Sequence, residues 1–179
     1  MPQPAANTGS HPLPDDKPVI DGRAFRQAMG KFATGVTILT YAGDNETHGM
    51  TANAFMSLSV DPPMVLIAAR NRARFATLVG CGDRFGISVL KEEQESLSNH
   101  FGGRPDPNVT VEFEHLQAVP VLPRSLVQIA ARVDAIHPGG DHLIYTAKVE
   151  QIQQTDTGEP LLFYSSGYRK LHMADLMQP

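Results

Sequence analysis

The feature that most constrains this chain is a pair of long extended runs near its end. "SLVQIAARVDAIH" (125–137) alternates apolar and polar residues over part of its length. "PGGD" turns the chain, and "HLIYTAKVEQIQ" (142–153) returns. A glycine turn between two such runs marks an antiparallel hairpin. Other runs rich in β-branched and aromatic residues repeat the theme: "VTILTY" (36–41), "MVLIAA" (64–69), "RFGISVL" (84–90) and "LLFYSS" (161–166). Turn clusters separate them at "AGDNET", Asp61-Pro62-Pro63 and "TDTGEP". Helical signals are fewer. Asp21 is placed to cap a helix with Phe25, Ala28, Met29 and Phe32 on one apolar face, ended by Gly35. A short helix is expected over 73–80, and another from Glu92 to His100, with Leu97 and Phe101 four apart. Six or seven strands in consecutive antiparallel runs, with two or three short helices, predict a mainly β barrel or sandwich rather than a βαβ sheet.

A chain of 179 residues fits one domain and buries a core without disulfides. Residues 1–19 carry five prolines and few apolar side chains, so a Pro-rich disordered tail is expected there and a single domain over 20–179. The net charge is −4 and no basic block appears, which argues against nucleic acid as a partner. Arg70, Arg72 and Arg74 alternate within five residues, enough for one phosphate. The single cysteine, Cys81, excludes an intrachain disulfide and multi-cysteine metal sites, and it suits a reducing cytoplasm. Between Gly80 and Gly82 it reads as a small hydrophobe or a turn residue. No apolar run approaches the ~20 residues of a membrane span, and no signal peptide is expected.

No dinucleotide-binding glycine fingerprint, P-loop, nucleophile elbow or zinc-protease motif occurs. The seven histidines are scattered, none paired at metal-ligand spacing, so no metal site is expected. Three stretches remain. In "HGMTANAFMSLSVDPPM" (48–64), alternation places Thr51, Asn53, Ser57 and Ser59 on one face. That face either meets solvent or lets backbone amides approach a planar ring. "ARNRAR" (69–74) is either a solvated basic loop or a phosphate site. "GGDH" (139–142) is either an exposed turn or a turn that presents His142 to a cleft.

Taken together, "FRQAMGKFATGVTILT", "HGMTANAFMSLSVDPPMVLI", "LSNHF", "GGDH" and "LLFYSSGY" occur in an order and spacing that resemble the short-chain flavin reductases. These are the reductase components of two-component flavin-dependent monooxygenases such as phenol and hydroxyphenylacetate hydroxylases. The resemblance spans about residues 21–171. It implies an FMN-binding split β-barrel that forms a homodimer. It implies hydride transfer from NADH or NADPH to FMN or FAD, and release of reduced flavin to a separate oxygenase. By position, His48, Met50, Thr51, Ala52 and Asn53 would line the flavin ring with Ser57 close by. Ala68, Ala69 and Arg70 would follow the ribityl chain, and Arg72 and Ala73 would meet the phosphate. Phe101 would flank the flavin or nicotinamide, His142 would contact the nicotinamide, and Tyr168 would close that side. Arg70 stands where the family often has small or polar residues. Two rivals share the barrel: a non-enzymatic FMN-binding electron carrier, and an oxidase of a small substrate. His142 favours the reductase, because a carrier needs no nicotinamide site.

Overall fold

The computed structural model describes residues 20–43 and 46–171; the expected disordered tail, 1–19, lies outside them. Along the chain run α1 (Gly22–Met29), β1 (Thr34–Gly35), β2 (Thr37–Ala42), β3 (Thr47–Ala52), β4 (Phe55–Val60), β5 (Pro63–Arg70), α2 (Arg74–Leu78) and β6 (Arg84–Val89). A 3-10 turn (Glu92–Gln94) leads into α3 (Glu95–Phe101). Then come β7 (Glu114–Leu116), β8 (Val119–Val121), β9 (Val127–Gly139), β10 (His142–Gln154), β11 (Leu162–Tyr164) and β12 (Gly167–Arg169).

Seven strands form one antiparallel sheet in the order β3-β2-β6-β9-β10-β5-β4. The two edge strands, β3 and β4, are neighbours in sequence, joined only by Asn53 and Ala54. Laid flat, seven strands would separate the edges by ~29 Å, while that link spans at most ~11 Å. The sheet must therefore roll until its edges meet. The Ala68 N–H donates to the Ala54 carbonyl at 3.0 Å at this closure. The fold is the split barrel the resemblance implies.

Stretch 48–64 is thus not one strand with one polar face. It breaks at Asn53–Ala54, and a register shift between Ser57 and Ser59 re-aims the far end of β4. Alternation carries a face only along one regular strand, so Ser57 and Ser59 do not continue the face of Thr51. Asp61 and Pro62 then form the turn into β5, whose first residue is Pro63.

Both faces of β2 are covered. Inside lie Leu39, Tyr41, Ile67, Phe75, Phe85, Ile87, Ile129 and Tyr145, with Met50 and Ala52 from β3. Outside β2, Val36 and Ile38 meet Leu90, Leu122 and Leu161 under Leu97 and Phe101 of α3. Coverage on both faces explains why every residue of "VTILTY" is buried, its two threonines included.

Asp21 caps α1, its carboxylate accepting from the Ala24 N–H at 3.3 Å. The helix stops at Gly30, short of Gly35, and Phe32 lies beyond it. Thr34–Gly35 instead forms β1, which pairs with β11. The hairpin strands β7, β8 and β12 are three residues each, too short to carry a readable period. Cys81 sits exposed in a turn.

Candidate active site

A cleft of about 600 Å³ opens where β3, the end of β5, α3 and the β11–β12 hairpin converge. This lies within the size range of small-molecule sites. Thr51, Asn53, Arg70 and Tyr168, four of the expected site residues, line it. So do Glu95, Ser98, Asn99, Gly102, Arg104 and Ser166.

Alternation in β3 sorts its residues. Met50 and Ala52 pack toward the barrel interior, which leaves their main chain as the part they can offer a ligand. Thr51 points the other way and donates to the Ser98 carbonyl at 2.7 Å, tying β3 to α3. Gly49 shares that face, and the Phe101 ring lies so close that a Cβ there would strike it. Phe101 therefore wedges α3 against β3 within the outer core and does not line the cleft. His48 turns back along the β2–β3 hairpin. Its ring packs on Tyr41, and its Nδ1 lies 3.4 Å from the Glu46 carboxylate. Ser57 sits on β4 and does not line the cleft either.

At the end of β5, Ala69 is buried in the core, while Ala68 is half-buried. Arg72 is exposed, Arg74 pairs with Glu46 at 3.5 Å, and Ala73 starts α2. Arg70 is directly opposite His142 in the β5–β10 register, so their side chains share one face of the sheet. Asn71 fastens the arginine loop to the glycine turn: its N–H donates to the Asp141 carbonyl at 3.0 Å and its Nδ2 to the Gly140 carbonyl at 3.2 Å. "ARNRAR" and "GGDH", far apart in sequence, are one structural unit. The Asp141 carboxylate holds the His142 ring through Nδ1 at 2.8 Å. That hydrogen bond keeps the Asp141 carboxyl below its ordinary range, and Arg70 adds a smaller effect in the same direction.

The donor set separates into two kinds. Thr51, Asn53, Asn99, Ser166 and Tyr168 are neutral hydrogen-bonding groups suited to the heteroatom edge of a planar ring. Arg70 and Arg104 are cations with no ion pair among the described residues, which suits phosphate. This set fits a flavin nucleotide. Among the described residues no cluster of three metal-ligating side chains occurs.

Sequence reading singles out Phe101 from "LSNHF" and passes over Glu95, Ser98, Asn99 and Gly102. These recur at i, i+3, i+4 and i+7, the polar stripe of α3, while Leu97 and Phe101 face the core. Helical periodicity holds the signal for them. Arg104, in the loop after α3, carries none.

The family model for the flavin reductase like domain matches residues 29–172. The chain is 41% identical over 165 residues to an NADH-dependent flavin reductase of a Rhodococcus species, covering 90% of this chain and 93% of that one. It is 38% identical over 148 residues to the reductase component of a Thermus thermophilus 4-hydroxyphenylacetate 3-monooxygenase, covering 83% and 95%. Among solved structures, the flavin reductase PheA2 superposes with a TM-score of 0.79 at 38% identity, covering 86% of this chain and 99% of that one.

Proposed function

The chain belongs to the flavin reductase-like domain family, and from that premise we propose that it oxidises NADH or NADPH, reduces FMN or FAD, and supplies reduced flavin to a separate flavin-dependent oxygenase. The observation that carries this reading is the union of the two motifs at the cleft. Arg70, which lines the cleft, stands directly across from His142, and Asn71 bolts their loops together. This supports a flavin site in the cleft with a nicotinamide contact at His142 beside it. The relatives named above are reductases, and the carrier alternative has no support among them.

A bound flavin would supply the redox chemistry, as acceptor of hydride from the nicotinamide. The protein's part is to position and to balance charge. Thr51 and Asn53 face the ring edge, with the main chain of Met50 and Ala52 beside them and Ala68 and Ala69 along the ribityl chain. Arg70 and Arg104 would offset phosphate charge, with Arg72 adding to it at the loop; Ala73, uncharged and with its N–H given to the Arg70 carbonyl at 2.8 Å, would only allow the phosphate close approach. The two cleft arginines also favour the negative charge that reduction brings to the ring. His142, its Nδ1 engaged by Asp141, would have Nε2 left to meet the nicotinamide.

The test is nicotinamide oxidation by the purified chain with NADH or NADPH and FMN, FAD or riboflavin. Turnover is expected with at least one of the six pairs; none with any pair overturns the reading. Flavin retained through dialysis without nicotinamide oxidation would instead favour the carrier.

The same reading includes a homodimer. α1 buries none of its residues, and an isolated eight-residue helix is marginal in water. Phe25, Met29 and Phe32 are 54%, 54% and 76% exposed, and Val60 on edge strand β4 is 92% exposed. A second copy of the chain is the partner that would cover them. Phe32→Glu is expected to convert a particle of twice the chain mass to a monomer in light scattering; an unchanged mass argues against this interface. No helix among the described residues is long and apolar enough to cross a membrane. Residence in the cytoplasm completes the reading, since the exposed lone Cys81 suits a reducing compartment.

A further inference from the structure

Three walls of the cleft meet at Ser98. The residue is fully buried. Its carbonyl accepts the Thr51 hydroxyl from β3 at 2.7 Å and the Gly102 N–H from the end of α3 at 2.9 Å. Its own hydroxyl lies 2.8 Å from the Tyr168 hydroxyl on β12. The reductase reading sets Thr51 and Tyr168 beside the ligand but gives no role to Ser98, which joins them.

The third wall shares the outer core with α3 but lacks strand pairing on one side. β3 belongs to the barrel sheet, and α3 is clamped by the outer core, against which Phe163 and Tyr168 also pack. β12 is the free edge of a separate three-stranded sheet, β1-β11-β12, paired on one side only. Its turn is made by Ser165 and Ser166, both at positive φ (48° and 62°), a region sparsely populated by residues other than glycine. The Ser165 N–H donates to the Gly30 carbonyl at 2.8 Å, which pins the turn while leaving the outer edge of β12 unpaired. The Tyr168 ring rests on Phe163 at 5.6 Å. Among the described residues, the Ser98–Tyr168 contact is the one side-chain hydrogen bond between β12 and another element. The exposed Lys170–Glu92 pair just beyond, at 3.5 Å, is of the kind that contributes little.

We propose that Ser98 and Tyr168 form the latch of the cleft, so that the Tyr168 side chain, on the free edge strand β12, swings at this hydrogen bond to admit and release flavin while β11 and the turn stay fixed. This rests on the reductase reading, because a protein that supplies reduced flavin must let it go, and the rate of release then limits supply. Ser98 is a positioning residue: it acts through Tyr168, which lines the cleft. The hydroxyl pair suits a latch. A neutral hydrogen bond at a partly wetted site is strong enough to bias two states and weak enough to break on each turnover.

The test is flavin release from the full-length chain loaded with FMN or with FAD, followed by flavin fluorescence after stopped-flow dilution. Tyr168→Phe removes one oxygen and keeps the ring. Ser98→Ala removes the other partner. Each is expected to speed release by roughly three- to tenfold, the equivalent of one net hydrogen bond, while the thermal midpoint of the flavin-free protein falls by only the few degrees that one such bond is worth. The double variant should release no faster than either single one, since both remove the same bond. Unchanged release in Tyr168→Phe, or additive effects in the double variant, overturns the latch; Tyr168→Phe decides the matter if Ser98→Ala does not fold. Nicotinamide oxidation by the wild type in the same preparation separates the two readings. A wild type that reduces flavin while Tyr168→Phe releases it at the parental rate sinks the latch alone. A wild type that neither binds nor reduces flavin sinks both.

Discussion

Phe75→Ala is expected to lower the unfolding free energy by about 3–5 kcal/mol and, where the variant still folds, to weaken flavin binding from a distance. Phe75 is the only buried residue of α2 and is itself fully buried. Its ring meets Tyr41, Phe85 and Tyr145 edge-on, at centroid distances of 5.2, 5.4 and 5.1 Å. Truncation removes the transfer free energy of a phenyl group and leaves a void between rings that backbone on all sides holds apart. The environment is already dry: burial pushes both the Tyr41 and the Tyr145 phenols up, and the Tyr145 hydroxyl has no hydrogen-bond partner among the described residues. Water entering the void would have few polar groups to bind. A loss of this size is a large part of the 5–15 kcal/mol that holds a typical domain together. The effect reaches the site because Phe75 follows Arg74 directly and seats the "ARNRAR" loop on the barrel. Urea denaturation measures the first effect and FMN titration the second. Phe75→Leu, which keeps most of the volume, should recover most of both; a Phe75→Ala protein with parental stability contradicts this account of the core.

How much could be read from sequence depended on how local the responsible physics is. The hairpin β9–β10 and the strands at 37–42 and 84–89 were legible because apolar content and turn glycines act over a few residues. The split of stretch 48–64 was not. Asn53 and Ala54 carry no breaker signal, and the break exists because the two edges of a rolled sheet must be joined there. α1 was legible as an amphipathic helix, yet its apolar face packs on no core among the described residues, so the pattern gave the helix without its place in the fold. The site divides in the same way. Thr51, Asn53, Arg70 and Tyr168 were placed by family resemblance and do converge on the cleft. His48 and Phe101 come from the same motifs, but their side chains serve packing, against Tyr41 and Gly49. Motif membership marks a neighbourhood; only the alternation of a real strand and the face of a real helix say which members point inward. The union of Arg70 with His142 depends on the β5–β10 register, which about seventy residues of separation hide from any local reading.

His142→Ala is expected to raise the nicotinamide KM about tenfold while leaving the flavin Kd within about twofold. The magnitude is that of one charge-assisted hydrogen bond to a ligand. The selectivity follows from position. His142 starts β10 beyond the cleft lining and reaches the site only alongside Arg70, whereas Thr51 and Asn53 stand within the cleft. The ring is also 35% exposed, enough to meet an incoming ligand, with Nδ1 occupied by Asp141 at 2.8 Å. Removing the imidazole has a second consequence independent of turnover. The hydrogen bond from His142 is the largest influence lowering the Asp141 carboxyl, so its titration midpoint should rise toward the ordinary aspartate value in the variant. Carbon-detected NMR of that carboxyl reports on the pair, and steady-state kinetics report on the ligand. A raised KM with an unmoved Asp141 would mean that the ring contacts nicotinamide without being held by Asp141. A moved Asp141 with parental nicotinamide kinetics would remove His142 from the nicotinamide site altogether. Arg70→Ala supplies the contrast, because a side chain that lines the cleft and faces His142 should weaken flavin and nicotinamide together.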